Sequence, residues 1–254
     1  MRICRFSSAE RNAPQWGLLQ QDQIVPIASL TDQTVVGPPV PLSAAKLLAP
    51  ATPSKILCVG RNYRDHAAEL NNPMPAEPLL FLKAPSAIIG PDDPIELPAL
   101  SERVDYEGEL AVVIGRRTRR LSDADDPLAS VLGFTCLNDV TARDLQRRDQ
   151  QWTRAKSFDS FCPIGPVIVT DLDPSDLVVE TRLNGLVKQH GRTSDMAFPV
   201  PFLLRYISHI MTLEPGDIIA TGTPAGVGPL APGDIVEVSI SSIGTLRNPV
   251  RPAT

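Results

Sequence analysis

The amino-acid sequence predicts a β-rich α+β protein with few helices at its edges and a small N-terminal subdomain. Three observations predict it. Short apolar stretches bounded by turn residues recur along the 254-residue chain. Its 26 prolines, roughly 10% against an average of about 5%, cluster in GPPVP (37–41), NNPMPAEP (71–78) and PDDPIELP (91–98), which favours turns and edge strands. Segments of helical character are few and short.

In chain order, residues 2–6, 16–19 and 23–30 read as strands. A proline-rich loop at 36–41 and a short helix, LSAAKLL (42–48), complete an N-terminal subdomain of residues 1–50. The main domain, residues 51–254, offers strands at 55–59, 79–83, 104–115, 131–138, 164–169, 177–183, 217–221, 234–240 and 245–250. Asn184-Gly185 between two strand-like runs signals a tight hairpin. Helices are expected at RNYRDHAAEL (61–70), at TARDLQRRDQQW (141–152), where Thr141 and Asp144 form a capping-box pattern, and at VPFLLRYISHIM (200–211).

Composition excludes several function classes. The net charge is −5 with no basic stripe, so nucleic-acid binding lacks its electrostatic driver. No signal-peptide core and no apolar run of ~18 residues occurs, which argues against a membrane location. Cys4, Cys58, Cys136 and Cys162 are scattered with no CxxC pair, so neither a disulfide framework nor a zinc site is expected, and the cytoplasm is the plainest home.

The chemistry concentrates in four places. In VDYEGELAVVIG (104–115), strand alternation puts Asp105, Glu107 and Glu109 on one face, consecutive members only ~6.7 Å apart. At an effective dielectric of ~20 each adjacent pair repels by roughly 2–3 kcal/mol, so the row needs water or a cation. VLGFTCLNDVTARD (131–144) ends an apolar strand at Asn138-Asp139, and Thr141 can cap the next helix, leaving Asp139 free. Glu107, Glu109 and Asp139 together would form an all-oxygen site suited to Mg²⁺, Mn²⁺ or Ca²⁺ rather than zinc, with coordination positions left open for catalysis. His66 and Glu69 in HAAE share a helix face, the arrangement of a carboxylate-oriented general base or of a surface ion pair. The glycines of ATGTPAGVG (220–228) can expose amides to an anion, although the loop lacks the GK[ST] of a nucleotide site. Lys156 follows the second helix. His190, in a turn-like KQHG, and His209, among apolar residues, read as structural.

These phrases together resemble the fumarylacetoacetate hydrolase superfamily, in its short single-chain form. VGRNYRDHAAEL, EPLLFLK, VDYEGELAVVIG, NDVTARDLQ, WTRAKSFDSFCPIGP, NG and GDIIATGTPAGVG follow in the family's order from about Lys55 to about Val250. The resemblance implies a mixed β-sheet roll, commonly homodimeric. It implies that Glu107, Glu109 and Asp139 hold Mg²⁺ or Mn²⁺, with Ca²⁺ able to replace them in crystals. It places His66 and Glu69 on a segment that closes over substrate, matches Lys156 to an active-site lysine, and puts Arg61, Tyr63, Gln146 and Thr223 at substrate-contacting positions. Asp105 matches no ligand position and is expected to point outward or to support the site from behind.

The implied substrate is a small 2-oxo acid whose enolate the cation stabilises. The leading expectation is C–C cleavage of an acylpyruvate by water that His66 and Glu69 activate, with oxaloacetate decarboxylation as a related activity. The alternative is a tautomerase or isomerase acting on oxaloacetate enol or a hydroxy-dienoate. A non-enzymatic, metal-stabilised scaffold stands third. The loops 71–78 and 84–96 are expected to read the substrate's tail.

Overall fold

A computed structural model describes residues 1–8, 11–69 and 71–253. Leu70, the end of the expected helix 61–70, and Thr254, the end of the expected main domain, lie outside the described residues. The architecture is β-rich with few short helices, as expected. Its spine is the strand Gly108–Ile114, every residue of which is buried. Leu110, Val112 and Ile114 face one apolar cluster, and Ala111 and Val113 face another, which explains a nearly continuous hydrophobic run.

This strand pairs antiparallel with Val131–Asn138 on one side and Ile218–Ala220 on the other. Ile218–Ala220 runs parallel to Ile56–Gly60, which pairs with the edge strand Leu79–Lys83. In the other direction come Cys162–Val169, then Arg2–Ser8, Arg11–Gln20 and Gln23–Ile27. The N-terminal strands thus continue the main sheet. A five-stranded sheet contributes Val179, Val238, Ile240 and Leu246 to the cluster that also holds Leu110 and the buried face of the helix Val200–Ile210. Asn184 (φ 52°) and Gly185 (φ 79°) make the expected hairpin turn between Val178–Leu183 and Leu186–Arg192.

Several expectations are corrected. Segment 42–48 is not a helix: Leu42–Ala44 forms one 3-10 turn, and Ala45–Leu48 pairs with Arg2–Ser8. Seven residues are too few for a self-sustaining helix, whereas the strand lets Ala45 and Leu47 pack on Cys4, Phe6 and Ile24. Segment 104–115 is interrupted at Glu107: Val104–Tyr106 belongs to a separate three-stranded sheet with Thr141–Ala142 and Gly228–Pro229. Segment 141–152 is a two-residue strand and the helix Arg143–Arg148, followed by a further turn of helix at Thr153–Lys156. Its N-cap is Ala142, without a side-chain cap, so the Thr141–Asp144 capping box does not form. Strand 23–30 ends at Ile27, and His190 lies within a strand rather than a turn.

Candidate metal centre and active site

The break at Glu107 builds the site. Gly108 pairs with Asn138 at the end of the ladder, so Glu107 and Asp139 leave it side by side. The Asp139 amide donates to the Glu107 carbonyl (2.8 Å), and the Glu107 amide donates to Asn138 Oδ1 (2.9 Å). Glu109 stands one residue inside the strand. One carboxylate oxygen from each of Glu107, Glu109 and Asp139 lies within 4.8 Å of the others, and all three side chains are buried.

Cations surround the trio unevenly. Lys156 Nζ donates to Glu107 Oε2 (2.7 Å) and Asp139 Oδ2 (2.6 Å), and sits 4.8 Å from the centre of the Phe81 ring. Lys83 Nζ donates to Asp139 Oδ1 (2.5 Å) and to the Val140 carbonyl. Arg143 donates to Glu107 Oε1 (2.5 Å), to Asp105 Oδ2 (2.9 Å) and to Gln146 Oε1 (3.0 Å). Burial alone would raise the Glu107 pKa, but Arg143, Lys156 and His66 hold it well below the carboxylate range. Burial would lower Lys156, and Asp139 and Glu107 more than offset it. Among the described residues Glu109 accepts a hydrogen bond from the Gly222 amide alone (2.8 Å), and burial with the neighbouring Asp139 and Glu107 pushes its pKa well above normal.

Asp105 points inward, not outward: it is fully buried and takes both Arg103 and Arg143, fixing the latter against Glu107. Thr141, freed from capping, donates to the Asp139 carbonyl and lies 3.3 Å from Glu107 Oε2.

The trio forms the floor of a cavity of about 200 Å³. His66 lines it from the helix Arg64–Glu69, its Nε2 3.8 Å from Glu107 Oε1 and its Nδ1 3.5 Å from Glu69 Oε2, without a formed hydrogen bond at Nδ1. Burial lowers the His66 pKa against the opposing pull of Glu107, which favours the uncharged ring. Glu69 is anchored by the Gly226 amide (3.1 and 3.2 Å). The glycine loop therefore does cradle carboxylates, those of Glu69 and Glu109.

Arg61, Gln146, Lys156 and Thr223 all line the cavity. The Thr223 hydroxyl is already engaged, donating to the Gly108 carbonyl (2.8 Å) and accepting from Gln189 Nε2 (2.7 Å). Tyr63 is not brought to this cavity; it is buried behind it and lines a neighbouring one with Arg64, His190 and Asp195. Loop 71–78 contributes Asn72 to the lining, and loop 84–96 contributes nothing. Sequence reasoning missed Lys83, Arg143, Arg147 and Trp152. Two signals were present: Lys83 shares a strand face with the lining residue Phe81, and Arg143 shares a helix face with Gln146.

Residues 55–251 match the family described as fumarylacetoacetate (FAA) hydrolase C-terminal, and residues 1–50 match one described as Rv2993c-like, N-terminal. The chain belongs to the fumarylacetoacetate hydrolase family. This member is 47% identical over 226 residues to oxaloacetate tautomerase FAHD2A, mitochondrial, of Bos taurus, covering 84% of the chain and 72% of the relative. A structure of 5-carboxymethyl-2-hydroxymuconate delta-isomerase from Mycobacterium smegmatis superimposes with a TM-score of 0.92 at 44% identity, covering 100% of both chains. A structure of maleylpyruvate hydrolase from Sphingobium sp. SYK-6, in complex with manganese (II) ion and pyruvate, superimposes with a TM-score of 0.82 at 30% identity and the same coverage.

The residues fit a hard divalent cation. Three buried carboxylate oxygens converge, and among the described residues no nitrogen or sulfur donor joins the cluster and Glu109 has no ion pair like those of Glu107 and Asp139.

Proposed function

We propose that the chain is a divalent-metal-dependent enzyme that interconverts the keto and enol forms of a small 2-oxo acid. The observation that carries this reading is a buried histidine reaching a buried carboxylate trio, with a further carboxylate on its other side. Glu107, Glu109 and Asp139 would hold Mg²⁺ or Mn²⁺, which would supply Lewis-acid polarisation of a substrate carbonyl oxygen. His66 in its neutral form accepts the C3 proton at Nε2 and returns it to the oxygen at C2, the opposite end of the enol system. Glu69, 3.5 Å from Nδ1, stabilises the imidazolium that forms. Lys156 fixes Glu107 and Asp139 in one orientation, and Phe81 and Trp152 restrict water at the wall. The 47% identical relative named oxaloacetate tautomerase supports the proton-transfer reading.

A second reading, hydrolysis of an acylpyruvate, is supported by the same His66–Glu69 arrangement, which can activate a water. Proton NMR of the Mg²⁺- or Mn²⁺-loaded protein with oxaloacetate, acetylpyruvate and fumarylpyruvate separates them. Accelerated loss of oxaloacetate enol without release of CO₂ or pyruvate is the expected result; pyruvate formed from the dioxo acids would replace it with hydrolysis. His66→Ala is expected to lower the rate of enol loss by about 10²–10⁴-fold while sparing metal binding.

A further inference from the structure

We propose that the groove between the N-terminal strands and the segment 85–93 is a second binding site, in which Arg5 receives the carboxylate of a small apolar monoanion. The groove shares no lining residue with the metal cavity, and its ligand does not depend on the reaction proposed there.

Arg5 gives the groove its chemistry. On the strand Arg2–Ser8 it pairs with Trp16 of Arg11–Gln20 on one side and with Leu48 of Ala45–Leu48 on the other, and cross-strand partners share a face of the sheet. Its guanidinium carbon lies 5.6 Å from the centre of the Trp16 ring, a cation–π contact that steadies the group but offers its N–H donors no acceptor. Among the described residues the Arg5 side chain has no hydrogen bond or ion pair, and its Nε is the one guanidinium nitrogen buried without a hydrogen-bond partner. Burial lowers the Arg5 pKa, and no carboxylate acts to restore it. Buried donors are normally satisfied, so this one asks for an acceptor from outside the chain.

The surroundings set the rest of the ligand. The groove has a volume of about 360 Å³, the size of a site for a small organic molecule. Its walls are apolar: Leu48, Ala49 and Ala51 come from the chain that leaves the N-terminal strands, and Pro85, Ile88 and Ile89 from the segment that follows the strand Leu79–Lys83. The carboxylate in the lining, Asp93, is already engaged, since Lys46 Nζ donates to its Oδ1 (2.7 Å) and the Gly90 amide to its Oδ2 (3.0 Å). One uncompensated positive charge therefore sits on an apolar surface. A single anionic group on an apolar body matches it, because a second charge would be desolvated against the hydrocarbon walls without a partner. A carboxylate suits the guanidinium, whose planar fork binds both oxygens at once.

The chain has two tryptophans, one for each cavity: the Trp16 indole donates to the Pro50 carbonyl (3.4 Å) beside the groove wall, and Trp152 lines the metal cavity. Indole ¹⁵N–¹H NMR of the Mg²⁺-loaded protein, titrated with benzoate, benzamide and acetate, therefore tells which cavity is filled. Benzoate is expected to shift the Trp16 indole saturably, with a Kd near or below ~1 mM, and to leave Trp152 in place. Benzamide keeps the ring without the charge, and acetate keeps the charge without the ring. Each is expected to bind at least ~10-fold more weakly, and the preference over benzamide should shrink as salt rises. Arg5→Met is expected to bring benzoate and benzamide within about 3-fold of each other, and Arg5→Lys to keep part of the preference. No saturable Trp16 shift up to about 20 mM benzoate overturns the proposal, whether or not the variants fold. So do equal wild-type affinities for benzoate and either control, an undiminished preference in Arg5→Met, and a response of Trp152 in place of Trp16. A Trp16 signal that moves with protein concentration and ignores benzoate also overturns it, and gives the groove to a second copy of the chain.

Discussion

At the scale of single residues, the site is a balance of three buried carboxylates against three committed cations, and Glu109 is the member left over. Its one hydrogen-bond donor among the described residues is the Gly222 amide, whose approach depends on a glycine: Gly222 has φ 96°, and a Cβ there would lie 2.8 Å from Asn62 Cβ. Removing the Glu109 charge should therefore separate metal affinity from stability. Glu109→Gln is expected to weaken Mn²⁺ binding by at least ~100-fold in calorimetry, because a ligand is lost and not merely a supporting contact. In the presence of a chelator the same variant should melt at or above the wild-type temperature, since burial and the neighbouring carboxylates already favour the neutral carboxyl that the amide replaces. A steep fall in the metal-free melting temperature would show that Glu109 is held ionised by the protein alone. Lys83 has the opposite character: it is fully buried and directed at Asp139, so Lys83→Met is expected to destabilise by about 3–5 kcal/mol. The carboxylates were legible in the sequence because acidic residues beside an apolar run stand out. Lys83 was not, because a lysine closing LLFLK reads as a solvated strand end until the strand's partners are known.

At the scale of elements, strand periodicity in 131–138, 79–83 and 178–183 survived because each strand has apolar residues that the core requires and turn residues that bound it. Local signals failed where pairing competed with them. Thr141 carries a capping signature, yet it is drawn into a strand beside Val104–Tyr106, and its hydroxyl serves the Asp139 carbonyl. The interruption at Glu107 was invisible because nothing in YEGEL marks the point where one sheet ends and another starts; Gly108 marks it only in retrospect, since a Cβ there would lie 2.1 Å from Thr181 Oγ1. The loop 220–228 depends on a similar approach at Gly226, whose φ is 102° and whose Cβ would fall 2.0 Å from the Lys188 carbonyl. Because the Gly226 amide holds Glu69, Gly226→Ala should act at two levels. Stability in urea is expected to fall by about 2–4 kcal/mol from backbone strain and collision. Enol conversion should drop further than the residual folded fraction explains, as the helix Arg64–Glu69 loses its anchor. Full activity per folded molecule would show that Glu69 does not depend on this amide.

At the scale of the whole molecule, the sheet is continuous from the N-terminal strands through the strand that carries Glu109 to the edge at Leu79–Lys83, so stability and site geometry share one framework. Asp217 is a joint in that framework, immediately before the strand Ile218–Ala220 and beside the start of Ile56–Gly60. Its side chain is fully buried and accepts from the Ser54 amide (3.0 Å) and hydroxyl (2.7 Å), the Lys55 amide (3.1 Å), the Glu214 amide (2.8 Å) and the Lys55 ammonium. Burial works against the ionised form, but the Lys55 ammonium and the surrounding donors outweigh it and hold the pKa below its ordinary 3.8. A carboxylate with a depressed folded-state pKa stabilises the protein above the unfolded-state value, and that contribution is lost as pH falls through the folded-state value. Asp217→Asn is therefore expected to destabilise by about 3 kcal/mol at pH 7, where the wild-type carboxylate is fully ionised. The difference between the two proteins should narrow as pH falls below 3.8, because the wild type then becomes neutral at this position as well. Urea unfolding of both proteins at pH 7 and at successively lower pH measures the gap directly. A gap that stays constant through the acid range would mean that the side chain acts by shape and hydrogen bonding alone, and that its charge contributes nothing to joining the two parallel strands.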